Sequence, residues 1–96
     1  NPTIKIYGIL PINRFDGGID NYHISGLAQY SLAELLNKLT QIYQANQIPV
    51  LNWRKIAPQL LTSTNHVQAL GDGRLHPNTA TYQKMATIIN QFILEN

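Results

Sequence analysis

Ninety-six residues suffice for one small hydrophobic core and are too few for two, so the chain reads as a single domain or as part of one. Its 7 Lys and Arg against 5 Asp and Glu leave a formal net charge of +2, spread so thinly that Arg54-Lys55 is the longest basic run, which argues against a nucleic-acid or anionic-membrane surface. The absence of cysteine removes a disulfide framework, a thiolate metal site and a cysteine nucleophile, and no apolar run approaches the ~18 residues of a membrane-spanning helix.

The first element is expected over Thr3 to Leu10, where β-branched and apolar residues occupy neighbouring positions until Pro11. That pattern predicts a strand buried on both faces. Asn13 to Gly26 carries Asp16-Gly17-Gly18, Asp20-Asn21 and Gly26 with little periodicity, which predicts a long loop of tight turns. A glycine-rich phosphate cradle is disfavoured there because no lysine or helix start follows in register.

Ser31-Leu32-Ala33-Glu34 spells a capping box, with Tyr30 and Leu35 at the staple positions. Leu32, Leu35, Leu36, Leu39, Ile42 and Tyr43 then repeat at helical spacing, and Asn37, Lys38, Gln41 and Gln44 occupy the other face. Asn46 is the expected left-handed stop, and Pro49 lies beyond the helix. Pro49 to Trp53 reads as a second strand, completing a βαβ unit with parallel strands. Lys55 to Gly71 suggests one helical turn near Ile56 to Leu61 followed by a polar loop. The last helix is expected from about Asn78 to Leu94, with Tyr82, Met85, Ile89, Phe92 and Ile93 on its core face.

The fold class is therefore α/β in the order β, loop, α, β, loop, α, without internal repeats. Two strands that each look buried call for neighbours on both edges, so the segment reads as the second half of a larger sheet. The first residue is Asn1 and not methionine, which reads as a trimmed or processed start. Nothing in the composition selects a compartment.

Asp72, Arg74 and His76 gather at the mouth of the last helix. Pro77 suits a first helical turn, and a histidine just ahead of a helix N-terminus is biased toward its neutral form, as a general base must be. Asp72 is close enough in sequence to accept from the other ring nitrogen and fix the tautomer. The bland alternative is a surface Asp-Gly turn with a solvated histidine.

Gly71-Asp72-Gly73-Arg74-Leu75-His76-Pro77-Asn78, continuing through Tyr82, Met85 and Ala86, resembles the C-terminal block of the SGNH hydrolases, the GDSL-like lipase/acylhydrolase family. Ile48 to Trp53 resembles that family's last strand and Ile6 to Pro11 the strand before it, so the similarity covers nearly the whole chain. It implies an α/β/α sandwich with a parallel sheet (SGNH/flavodoxin-like), His76 as the catalytic base that activates a serine, and Asp72 as its orienting partner. It further implies an acylated or small-molecule ester substrate and no cofactor or metal.

Three departures stand beside the resemblance. Three residues separate Asp72 from His76 where the family usually has two, and Thr81 stands where a glycine is usual. The family's Gly-Asp-Ser block and the glycine and asparagine that complete its oxyanion hole have no match, since Ser25, Ser31 and Ser63 lack that context. The expectation is thus the C-terminal part of a serine-dependent ester hydrolase whose N-terminal part is the partner that carries the nucleophile. The alternative is a non-catalytic α/β module that self-associates, as a homodimer, through exposed sheet edges.

Other candidates read as structural. His23 and His66 sit in separate segments without ligand spacing and are expected to be exposed loop histidines. Trp53, Tyr82 and Met85 are expected in the core. Arg74 is left between an ion pair with a carboxylate and a place at the substrate mouth.

Overall fold

The computed structural model describes residues 4–24 and 30–96. In chain order it contains β1 (Gly8–Ile9), a 3-10 turn at Asp16–Gly18, α1 (Leu32–Ala45), β2 (Val50–Leu51), α2 (Trp53–Ile56), α3 (His66–Ala69) and α4 (Thr79–Glu95). The strands pair in parallel with Gly8 opposite Val50 and Ile9 opposite Leu51, extended by Gly8 N–H to the Pro49 carbonyl at 2.8 Å and Leu10 N–H to the Leu51 carbonyl at 3.0 Å. The parallel α/β class is the expected one. Thr3, the expected start of the first strand, and Ser25 and Gly26 lie outside the described residues.

β1 is much shorter than Thr3 to Leu10, and it is not buried on both faces: Ile4, Ile6 and Ile9 are exposed while Gly8 and Leu10 are buried. A parallel strand is covered on both sides only when strands and helices flank it. Among the described residues β1 has one partner strand, so its apolar excess remains in solvent. Where it is covered, the fit is close. A Cβ built on Gly8 would lie 2.9 Å from two ring carbons of Tyr43, so only glycine lets α1 approach the strand. The neighbouring Tyr7 meets Phe92 of α4 edge-on, with ring centroids 5.8 Å apart.

Helix α1 begins as expected: Glu34 N–H donates to Ser31 Oγ at 3.1 Å, and Ser31 N–H donates to Glu34 Oε1 at 3.3 Å. Its inward face is rotated from the expected leucine stripe. Ala33 and Leu36 are buried, whereas Leu35, the staple residue Tyr30 and Ile42 are exposed. The helix stop is also displaced by one residue. Asn46 has φ −101°, while Gln47 adopts the left-handed φ of 59°. Gln47 N–H donates to the Gln44 carbonyl and Ile48 N–H to the Tyr43 carbonyl, the two bonds of a Schellman cap. Asn46 instead spends its side chain on the Ile42 carbonyl at 2.8 Å. A residue with a Cβ is strained at Gln47, so Gln47→Gly is expected to stabilise the fold by about 1 kcal/mol. Thermal unfolding followed by circular dichroism would show a rise of about 4–8 °C.

The second strand ends two residues early. Asn52 Oδ1 accepts from Arg54 N–H at 3.0 Å and caps α2, which draws Trp53 out of the strand and into the helix. Lys55 to Gly71 thus takes in only the end of α2, which comes earlier than the expected turn at Ile56 to Leu61, and holds α3 where a polar loop was expected. Helix α4 follows Asn78 closely as expected, but Thr81 and Phe92 are its buried residues and Tyr82 and Ile93 are exposed.

Among the described residues two apolar clusters hold the structure. Leu51, Trp53 and Phe92 form one, with Tyr7, Met85, Ile88 and Ile89 against it; Phe15, Leu61 and Leu70 form the other. Ile12 and Leu60 pack against both clusters and join them. His66, expected in solvent, is buried: its ring stacks on Phe15 at 4.3 Å and 5°, with Nδ1 3.2 Å from the Ser63 carbonyl. Among the described residues, no helix is long and apolar enough to cross a membrane.

Candidate active site

The turn that carries Asp72 and His76 is closed at its base by backbone. Leu70 and Pro77 form an antiparallel bridge, Gly71 N–H donates to the His76 carbonyl at 2.6 Å, and Asn78 N–H donates to the Ala69 carbonyl at 3.0 Å. Gly73 provides the left-handed corner, with φ 69°, a conformation that costs a residue with a Cβ. Asn78 then caps α4 by accepting from Thr81 N–H at 2.9 Å, and Thr81 Oγ1 donates to the Ala69 carbonyl at 2.6 Å. The start of α4 is thereby fixed to the end of α3.

Within this frame one carboxylate does two jobs. Asp72 Oδ1 accepts from the backbone N–H groups of Arg74 at 2.9 Å, Leu75 at 3.0 Å and His76 at 3.1 Å. Its Oδ2 lies 2.6 Å from His76 Nδ1. The N–H groups of Arg74, then Leu75 and His76, stabilise the charged form and hold the Asp72 carboxyl well below its ordinary value of 3.8; the His76 ring adds a smaller contribution. Asp72 is therefore an anion at neutral pH, and the proton between the two side chains belongs to Nδ1.

That assignment fixes the tautomer. With Nδ1–H donating to Asp72, Nε2 carries the lone pair and can take a proton from a third group. The His76 side chain is 70% exposed, and among the described residues no hydrogen bond is made by Nε2. The three-residue separation between Asp72 and His76 does not prevent the pair: the longer turn folds back over Asp72 Oδ1 and delivers the ring to Oδ2.

Arg74 pairs with Asp16 Oδ1, while Arg14 Nε donates to Asp16 Oδ2 at 3.0 Å. Asp16-Gly17-Gly18 is turn chemistry by sequence, and the contact of Asp16 with Arg74 is not visible in it. The available signal was Phe15, a large apolar residue between two charged ones, which marks a loop segment tied to the core. The three histidines are far apart in role: His66 stacks in the core, His23 lies edge-on to Tyr22 with ring centroids 4.7 Å apart, and His76 is bonded to Asp72.

One pH effect follows from the depressed Asp72. Because its folded value lies below its unfolded one, the stability it contributes is present above the unfolded value and is lost as pH falls below about 4 toward the folded one. Denaturation midpoints measured from pH 6 down to pH 2 should fall less steeply for Asp72→Asn than for the parent protein. Equal slopes would mean that the three N–H contacts do not bear on folding.

Comparison of the chain with protein-family models, with curated proteins and with solved structures returns no match.

Proposed function

We propose that this chain supplies the acid/base pair of a serine-dependent ester hydrolase of the SGNH type, the nucleophilic serine being held in an N-terminal part of the same hydrolase domain. The observation that carries this reading is the Asp72–His76 contact of 2.6 Å, with an anionic carboxylate and an outward Nε2. Three backbone donors hold Asp72 Oδ1 and leave Oδ2 to the imidazole, so His76 has an orienting partner that needs no rearrangement during the reaction.

In the reaction, the serine Oγ attacks the ester carbonyl carbon and its proton passes to His76 Nε2. Asp72 stabilises the imidazolium so formed. Collapse of the tetrahedral intermediate breaks the bond to the alcohol oxygen, which leaves with the proton from Nε2. Water then attacks the acyl-serine, again giving a proton to Nε2; that proton returns to serine Oγ as the carboxylic acid departs. This chain alone lacks the nucleophile and is not expected to complete a turnover.

A three-layer α/β/α sandwich is the architecture proposed for the complete domain. α1 against Gly8 and α4 against Tyr7, adjacent residues of an extended segment, support it, as do the exposed apolar side chains of Ile4, Ile6 and Ile9, which further elements of a larger domain would cover. The decisive experiment is labelling of the protein containing this chain with a fluorophosphonate, alongside hydrolysis of p-nitrophenyl acetate. One labelled serine outside residues 1–96 is expected. No label and no hydrolysis would overturn the reading.

The same exposed isoleucines, with a sheet of two strands among the described residues, favour a second reading, a non-catalytic module that self-associates through exposed sheet edges. Light scattering separates the two: a stable dimer of the 96-residue chain that is inert toward esters would support it.

A further inference from the structure

Beyond the helices that flank it, the Asp72–His76 turn is bonded among the described residues to one loop, residues 13–22. Phe15 N–H donates to the Arg74 carbonyl at 2.8 Å, and the Asp16 carboxylate bridges the Arg74 and Arg14 guanidinium groups. The loop is itself anchored at both ends. Arg54 of α2 donates to Asn13 Oδ1 at 2.8 Å, pairs with Asp20 at 3.0 Å and lies 3.7 Å over the Tyr22 ring. Asn13 Nδ2 also donates to the Leu61 carbonyl at 3.0 Å, and Phe15, 1% exposed, packs with Leu61 and Leu70 under the base of the turn.

We infer that residues 13–22 form a strap that positions the Asp72–His76 turn, with Asp16 as a positioning residue that acts through Arg74. The inference rests on the hydrolase reading for its catalytic meaning. Among the described residues the His76 ring makes one hydrogen bond, to Asp72, so the direction of Nε2 depends on where the turn is held. Within the turn, every bond to Asp72 moves with the turn as a body. The contacts of Arg74 with residues 15 and 16 refer that body to the core. Displacement of a reacting group by about 1 Å can cost about 100-fold in rate, whereas an exposed ion pair adds little to global stability.

The test compares Asp16→Ala, and the charge-exchanged pair Asp16→Arg with Arg74→Asp, against the parent protein. In the exchanged variant the carboxylate at position 74 faces Arg14 and the new arginine, so the bridge is rebuilt with reversed polarity. Two readouts are taken: the downfield proton resonance of His76 Nδ1–H, and kcat and KM for p-nitrophenyl acetate in the serine-bearing protein. Asp16→Ala is expected to broaden or lose the resonance and to lower kcat about tenfold or more at unchanged KM and unchanged Tm, and the exchange is expected to restore both. Retention of the resonance and of kcat in folded Asp16→Ala overturns the strap. If the parent protein shows the resonance but hydrolyses no ester, the hydrolase reading fails, and the response of the resonance to the two variants still decides the strap.

Discussion

Alanine at position 76 is expected to reduce ester hydrolysis by the serine-bearing protein about 10⁴-fold or more while leaving its thermal midpoint unchanged. Both halves of that result follow from geometry. The imidazole is the proton acceptor of the proposed reaction, yet it is largely exposed and among the described residues its one hydrogen bond is to Asp72, so the core does not feel its removal. Asp72→Asn should be nearly as damaging for a different reason. The amide oxygen can still accept the three backbone N–H groups, so the turn survives. The amide nitrogen would then donate to His76 Nδ1, which forces the proton onto Nε2 and removes the base. Steady-state kinetics on p-nitrophenyl acetate, with circular dichroism for folding, reads both variants. Full activity in folded His76→Ala would remove this histidine from any catalytic role.

The parts that were legible in the sequence are those governed by local chemistry. Ser31 and Glu34 form the expected cap because each satisfies the other's backbone donor within one turn. Asn78 caps α4 for the same reason, and Asp72 finds His76 because the connection is short. What could not be read depends on neighbours far along the chain. Helical spacing shows that Leu35 and Ile42 share a stripe, but not which part of the stripe meets the strand; the close fit of Gly8 against Tyr43 is a contact across 35 positions. Asp16 reaches Arg74 from still farther along the chain, and local turn propensity says nothing of it. His66 looked polar in a polar segment, yet Phe15 offered its ring a stacking surface. Asn46 shows the opposite failure, a residue suited to the left-handed position whose side chain found a better use on the Ile42 carbonyl.

The aromatic residues give the largest stability effect and a direct test of which helical face is buried. Trp53, 4% exposed, joins Leu51 and Phe92 in one cluster, with Ile12 and Leu60 bridging from it to the cluster around Phe15 beneath the Asp72–His76 turn. Removing a buried indole costs about 3–5 kcal/mol because the transfer energy and a cavity term add. For a domain of this size that is a large share of the about 5–15 kcal/mol available, so Trp53→Ala is expected to lower the denaturant midpoint severely or prevent folding. The substitution deletes the chain's one tryptophan, so unfolding is followed by far-ultraviolet circular dichroism and not by fluorescence. Tyr82→Ala is the matched control. Apolar periodicity ranks Tyr82 with the core of α4, but it is 54% exposed, so its removal should change stability by no more than about 0.5 kcal/mol. If Tyr82→Ala costs as much as Trp53→Ala, then α4 is rotated about its axis, Thr81 does not reach the Ala69 carbonyl, and the base of the Asp72–His76 turn is built differently.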